Sequence, residues 1–340
     1  MKYTLCKIIL FSILVFGILA FSKSLFTPLY FDIPKGWPKP VYDFSKNKLT
    51  ENGFQLGRNL FYDPIFSRDN TISCSSCHLQ QTGFTHVDHD LSHGIDGKIG
   101  VRNSLSLQNL AWTKNFMWDG GVNHLDMQPL APISSEFEMD EKLENIVLKL
   151  EKTTKYPELF EKAFGTKKIT GQLILKALSQ FVVLLTSSNS KYDKVIRNSD
   201  RFTDMELKGY NLFKQNCASC HKEPLFTSEK FETNGLKIDP TLNDLGRMKI
   251  TQNTKDSLKF KVPTLRNIQF TFPYMHDGRF KTLNEVIKHY NSLGGANNLP
   301  KELIKPMNLS DNDRADLVAF LKTLSDKEFL FNPRYSYPRE

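Results

Sequence analysis

The sequence has 340 residues, of which 40% are hydrophobic and 24% charged. That composition supports ordinary globular cores in about two domains, and it excludes a disordered chain, a collagen-like chain and a polytopic membrane protein. Lys and Arg number 45 against 37 Asp and Glu, a formal charge of +8 spread along the chain. This reads as a solvated surface or a face for a redox partner, not as a nucleic-acid binder.

In chain order, Lys2 and Lys7 precede an apolar run from Ile8 to Phe21, flanked by Ser22 and Lys23. The run is shorter than the roughly 20 residues a bilayer span needs, and a positive start before a short apolar core reads as an export signal. Ile18-x-Ala20 is not a clean small-x-small cleavage site, so residues 1–24 are read as a signal peptide or, alternatively, an uncleaved N-terminal anchor. The expected location is periplasmic. Cys74-Ser-Ser-Cys77-His78 follows, then a loop over 79–103 rich in Gly, Asp and Asn. Apolar positions Leu143, Ile146, Val147 and Leu150 have helical spacing within 141–152, and Thr170 opens an apolar helix through Leu185. Thr203 with Glu206 starts the helix that delivers Cys217-Ala-Ser-Cys220-His221. A second long loop covers 222–262, Thr282 begins a helix to about Tyr290, and Ser310 caps another from Asp311 to Leu324. Strand patterns are few and short, and loops of this length usually serve a function or wrap a cofactor.

The five cysteines decide the chemistry. Cys6 lies in the targeting segment, and the other four form two C-x-x-C-H motifs, the attachment pattern of c-type haem. Two thiols add across the haem vinyl groups, and the adjacent imidazole meets the iron. A zinc site would leave the paired histidines unexplained. Disulfides closing such short loops would add little stability. Two covalent haems are therefore expected, on Cys74, Cys77 and His78 and on Cys217, Cys220 and His221.

The two motifs share their surroundings. Gly57-Arg58-Asn59-Leu60-Phe61 precedes the first, and Gly209-Tyr210-Asn211-Leu212-Phe213 the second. Ser106-Leu107-Gln108-Asn109-Leu110 matches Thr264-Leu265-Arg266-Asn267-Ile268, and Trp118-Asp119-Gly120 matches His276-Asp277-Gly278, an offset of 158 residues. The haem motifs themselves, Cys74 and Cys217, are offset by 143, which places about fifteen extra residues in the second half, in the polar stretch Glu229 to Lys259. The expected fold is mainly α: two cytochrome-c-like helical domains of common ancestry, each binding one haem. The boundaries are 25–195 for the N-terminal domain and 196–340 for the C-terminal domain.

The second axial position of each iron decides what it can do. Tyr290 lies fourteen residues after His276, and the 158 offset carries it onto Pro132. A phenol oxygen can bind iron and a proline ring cannot. The second haem is read as closed by Tyr290 and the first as open to peroxide. Met275 and Met307 compete with Tyr290 as ligands. Gln128 and Glu138 lie beside the open face. A carboxylate there can move a proton from the inner to the outer oxygen of a peroxide, although a solvated helix-start residue is the plainer reading of Glu138.

These residues resemble the bacterial di-haem cytochrome c peroxidase family and its relative MauG, from about Leu49 to Phe329. The carriers are both haem motifs, Arg102-Asn103-Ser104, Trp118-Asp119-Gly120, Pro263-Thr264-Leu265-Arg266-Asn267 and Pro273-Tyr274-Met275-His276-Asp277-Gly278-Arg279. The resemblance implies that Trp118 stands between the haems, and that Gln128 and Glu138 are the distal glutamine and the catalytic glutamate. It also implies one Ca²⁺ held by the Asn103 side chain and the Thr271 and Pro273 carbonyls. At Tyr290 the peroxidases carry methionine and MauG carries tyrosine. His93-Gly94 resembles a loop element that caps the first haem in many of the peroxidases, but with two extra residues before Asn103, and it is read as a loop histidine near a haem edge. His86, His89, His124 and His289 receive no role, and Phe116 and Met117 are read as pocket packing. The implied activity is reduction of hydrogen peroxide at the His78 haem. Electrons arrive through the His221 haem from a small cytochrome c or copper protein. The alternatives are a MauG-like enzyme oxidising a partner protein and a non-catalytic electron-transfer cytochrome. Homodimers are common among the peroxidases, so a homodimer is an expectation.

Overall fold

The computed structural model describes residues 27–338 apart from 294–298 and 305. The expected export segment and Cys6 lie outside the described residues. Among the described residues no helix is long and apolar enough to cross a membrane.

The chain is mainly helical, with one small sheet among the described residues. Helices α1 (Glu51–Tyr62), α2 (Cys74–Cys77), α3 (Leu130–Ser134), α4 (Leu143–Glu151), α5 (Lys155–Phe164) and α6 (Gly171–Val182) come first. Then follow α7 (Lys191–Ile196), α8 (Asp204–Asn216), β1 (Phe231–Glu232), α9 (Met248–Thr251), β2 (Phe260–Lys261), α10 (Leu283–Ser292), α11 (Asp311–Lys322) and α12 (Lys327–Leu330). Strands β1 and β2 pair antiparallel, Phe231 opposite Lys261.

The helix starts follow from side-chain caps that supply partners for otherwise orphaned backbone N–H groups. Thr170 accepts from Leu173 N, and Thr203 with Glu206, Thr282 with Glu285 and Ser310 with Asp313 form capping boxes. Helix α6 stops at Val182, short of the expected Leu185. There the chain tightens to i→i−3 bonds, Leu184 N to Phe181 O and Leu185 N to Val182 O, both 3.2 Å.

Two apolar cores form. The first gathers Phe54, Leu60 and Phe61 of α1, Phe160 of α5 and Ile174, Leu178 and Phe181 of α6. The second gathers Tyr192, Phe213, Phe226, Ile287, Leu317 and Phe320. Phe329 and Leu330, near the end of the chain, return to the first core. The tail continues along it: Arg58 Nε donates to Ser336 O at 2.6 Å, Tyr62 Oη to Tyr335 O at 2.7 Å and Gln80 Nε2 to Asn332 O at 2.7 Å.

The duplication is visible atom by atom. A Cβ on Gly57 would meet the Ala177 carbonyl oxygen at 1.9 Å, and one on Gly209 would meet that of Asp316 at 1.9 Å. Each glycine lets its helix cross a partner at backbone distance. Phe116 N donates to Val122 O and Tyr274 N to Phe280 O, both at 2.7 Å. Asn109 and Asn267 both take positive φ, 59° and 57°, as do Met117 and Met275. The halves also touch reciprocally: Asn103 N donates to His276 O and Lys261 N to Trp118 O, each at 2.7 Å. Both pairs join one member of each half through residues related by the 158 offset, an approximate two-fold relation at the junction.

Candidate haem and peroxide site

A continuous cavity of about 710 Å³ runs from one C-x-x-C-H motif to the other. It is lined by Cys74, Cys77 and His78 on one side and by Cys217, Cys220 and His221 on the other. The four thiols are free of disulfides. Burial pushes Cys74 and Cys217 up to about 12 and Cys77 up to about 11.

Both imidazoles are set for metal. His78 Nδ1 lies 2.8 Å from Phe84 O, and His221 Nδ1 lies 3.2 Å from Phe226 O and 3.1 Å from Pro263 O. A carbonyl only accepts, so Nδ1 carries the proton and Nε2 keeps its lone pair. Burial pushes both rings down to about 4, with the carbonyl contacts opposing it, so both are neutral at neutral pH. A backbone carbonyl behind the ring fixes its orientation and raises its basicity as a ligand. This donor set fits covalent haem at each motif, with His78 and His221 as iron ligands.

The other expected residues are distributed around the same cavity. Trp118 is buried at the junction, donating Nε1–H to Asn103 O at 2.8 Å and accepting from Lys261 N. Gln128, Pro132 and Glu138 line the cavity. Glu138 is close enough to Cys77 for its charge to push that thiol up, and burial raises the glutamate itself. The Glu138 carbonyl accepts from Ile95 N at 2.9 Å, which ties the 79–103 loop to it. Gln128 Nε2 approaches Met117 Sδ at 3.9 Å. Tyr290, on α10, lines the cavity beside Cys217 and Cys220, where burial first and then those thiols raise its phenol. Met275 and Met307 line the cavity as well.

Asn103, Thr271 and Pro273 each line the cavity, and Asn103 Nδ2 donates to Asp90 O at 3.0 Å. His93 lines the cavity and its ring stacks on His89 at 4.0 Å, which in turn lies 4.7 Å from His86. Phe116 and Met117 are part of the wall. His289 Nε2 lies 2.9 Å from Asn234 O, and His124 Nδ1 accepts from Asp126 N.

Comparison with known proteins places the chain. Residues 51–201 match the family model for di-haem cytochrome c peroxidase, and residues 207–325 match that for cytochrome c. The methylamine utilization protein MauG of Methylorubrum extorquens is 33% identical over 84% of this chain and 82% of its own. The chain belongs to the di-haem cytochrome c peroxidase and MauG family. The cytochrome c551 peroxidase of Nitrosomonas europaea is 34% identical over 80% of this chain and 79% of its own. A solved MauG-like protein associated with microbial copper homeostasis superimposes with a TM-score of 0.82 at 31% identity, covering 91% of this chain and 99% of that one. The protein is therefore a di-haem oxidoreductase carrying two c-type haems on a mainly helical frame.

Sequence reasoning missed the polar clasp around the tryptophan. Arg102 grips Asp244 with Nε and Nη2 at 2.6 and 2.9 Å and reaches Asp119 at 2.6 Å. Arg247 donates to Asp119 O at 2.9 Å and lies over Phe231 at 3.8 Å. It also missed Lys261 and the stacking of His276 on Phe260 at 3.8 Å. The 158 offset, which pairs Lys261 with Asn103 and His276 with Trp118, was the signal that could have found both.

Proposed function

We propose that this family member is an exported peroxidase that reduces hydrogen peroxide to water on the His78 side, with electrons entering on the His221 side through Trp118. The observation that carries the reading is the asymmetry of one cavity: Pro132 and Glu138 line it, the glutamate beside Cys77, and Tyr290 lines it beside Cys217 and Cys220. When bound, the two haems supply an iron that accepts peroxide and an iron that stores and passes electrons.

The residues do the rest. His78 and His221, each held by a carbonyl, would hold the two irons. Pro132 offers no donor atom, which keeps the first distal side free for peroxide. Glu138, whose carboxyl burial holds above the usual glutamate range, takes the proton of the inner peroxide oxygen and returns it to the outer one, so that water leaves. The Gln128 amide orients the peroxide. Trp118, fixed at its indole N–H and at its carbonyl, bridges the two sides. Asn103, with its amide nitrogen committed to Asp90 O, offers its oxygen to a Ca²⁺ together with the Thr271 and Pro273 carbonyls, an all-oxygen set suited to that ion. The electron donor is a small cytochrome c or copper protein, acting outside the cytoplasm. A homodimer is the working assembly.

Tyr290 favours a second reading. An anionic oxygen ligand stabilises ferric iron and higher oxidation states, and methionine stabilises ferrous iron. Oxidising equivalents shared through Trp118 would then act on a partner protein, as the resemblance to MauG implies. The visible and near-infrared spectrum of the diferric protein after stoichiometric peroxide, with no reductant, tests both. Peroxide consumed only once the second haem is reduced supports the peroxidase. A lasting near-infrared charge-sharing band overturns it in favour of the MauG-like mode, and a spectrum inert to peroxide in both redox states overturns both.

A further inference from the structure

The halves meet through Asn103 and Lys261, which occupy equivalent places at the junction. One side chain is a neutral amide and the other a cation. Lys261 is only 8% exposed and lines the cavity between the haem motifs. Its Nζ donates to Asn115 O at 3.0 Å. An ammonium has three donors, so two are left over among the described residues.

Buried Arg266 and half-buried Arg102, by contrast, are matched. Arg266 holds Asp193 with two nitrogens at 2.8 and 2.9 Å, and Arg102 holds Asp119 and Asp244. Lys261 forms no ion pair among the described residues. Burial pushes the Lys261 ammonium down and the charge of Glu229 opposes this, but that carboxylate accepts from Lys114 N at 3.2 Å and Thr113 Oγ1 at 3.5 Å. A buried charge without a counter-charge is strongly unfavourable. The cavity is where haem is received, and each haem brings two propionate carboxylates that can supply the missing anion. Lys261 closes β2 two residues before Pro263, whose carbonyl holds the His221 ring. That closeness in the chain brings the Lys261 backbone to the His221 side of the cavity.

We propose that the Lys261 ammonium is the counter-ion of a propionate of the haem bound at His221. The inference needs haem at both motifs and is independent of the peroxidase reading. A fixed positive charge beside that haem favours its ferrous form and opposes the effect of the Tyr290 oxygen. It also gives the second half a protein-borne cation at the place equivalent to Asn103, the residue proposed to hold Ca²⁺ in the first.

The test uses the full haem-loaded chain without peroxide. Lys261→Gln keeps a donor for Asn115 O and removes the charge, whereas Lys261→Arg keeps the charge. Haem content is measured first, then both midpoint potentials are titrated in the visible spectrum. The expected result is a lower potential for the His221 haem in K261Q, an unchanged His78 haem, and wild-type potentials in K261R. Wild-type potentials for both haems in K261Q overturn the proposal, as does a shift confined to the His78 haem. If K261Q loads haem poorly, the propionate-bending Raman band of the His221 haem in wild type and K261R decides. A band that moves with the change of donor supports the contact, and an unmoved band overturns it.

Discussion

Glu138 and Tyr290 carry the functional argument at the scale of single residues. Glu138→Gln keeps the shape of the side chain and removes the proton carrier. Peroxide consumption should fall by roughly 10²–10⁴, the usual worth of a positioned acid–base group, with haem content and both potentials unchanged. Unchanged turnover would remove Glu138 from the mechanism. The pH profile carries a sign. Burial raises the Glu138 pKa, so the carboxylate that accepts the first proton is lost as pH falls through a value above the ordinary glutamate range. The acid limb of the wild-type rate should sit correspondingly high and be absent in E138Q. Tyr290→Met replaces an anionic oxygen with a thioether and should raise the potential of the second haem. A potential that stays put would mean that Met275 or Met307, which line the same cavity, holds that iron.

The cysteine motifs and the histidines beside them were legible in the sequence because covalent haem attachment demands a fixed local spacing. The groups that orient those histidines were not. The Phe84, Phe226 and Pro263 acceptors are backbone carbonyls, and a carbonyl leaves no trace in residue identity.

Among the elements, the helix starts at Thr170, Thr203, Thr282 and Ser310 were readable because a cap acts over three residues. The clasp was not, because Arg102 and Asp244 are 142 residues apart. Its acid belongs to the polar stretch Glu229 to Lys259, which the repeat comparison flagged only as extra length. In the fold that stretch reaches over the Trp118 segment through Asp244, Arg247 and Phe231. Asp244 is buried, and although burial works to raise its carboxyl, Arg102 holds it down at about 2, below its ordinary 3.8. A depressed acid stabilises the fold above its unfolded-state pKa and stops doing so as pH falls through its folded value. The contribution, on the order of 2 kcal/mol for a shift of this size, is full above about pH 4 and disappears towards pH 2. Asp244→Asn should lose it at neutral pH and show a shallower acid-unfolding curve over that window. Parallel curves for variant and wild type would mean that the bridge is not what the acid titrates.

For the whole molecule, the two-core plan followed from the repeat, but the path of the C-terminus did not. The stretch that includes Phe329, Leu330 and Tyr335 has no repeat partner to announce it, and its contacts lie far back along the chain. Phe329 is 3% exposed in the first core, 5.8 Å ring to ring from Phe84, the residue whose carbonyl holds His78. Phe329→Ala should cost about 3–5 kcal/mol, read in chemical denaturation. The loss should appear first in the spectrum of the His78 haem. A variant that loses the His221 haem signal first would contradict the assignment of the tail to the first core.

That tail also dictates an order of events. A ribosome delivers the first half, with its haem motif, long before residues 329–335 exist, yet Phe329, Leu330 and Tyr335 complete the packing around it. Closing contacts of such sequence separation is slow. The first half therefore stays incomplete until residues 329–335 have been made. That delay keeps Cys74 and Cys77 within reach of whatever attaches the porphyrin. The second half, whose core lies between Tyr192 and Leu324, needs nothing from the tail and is free to mature first.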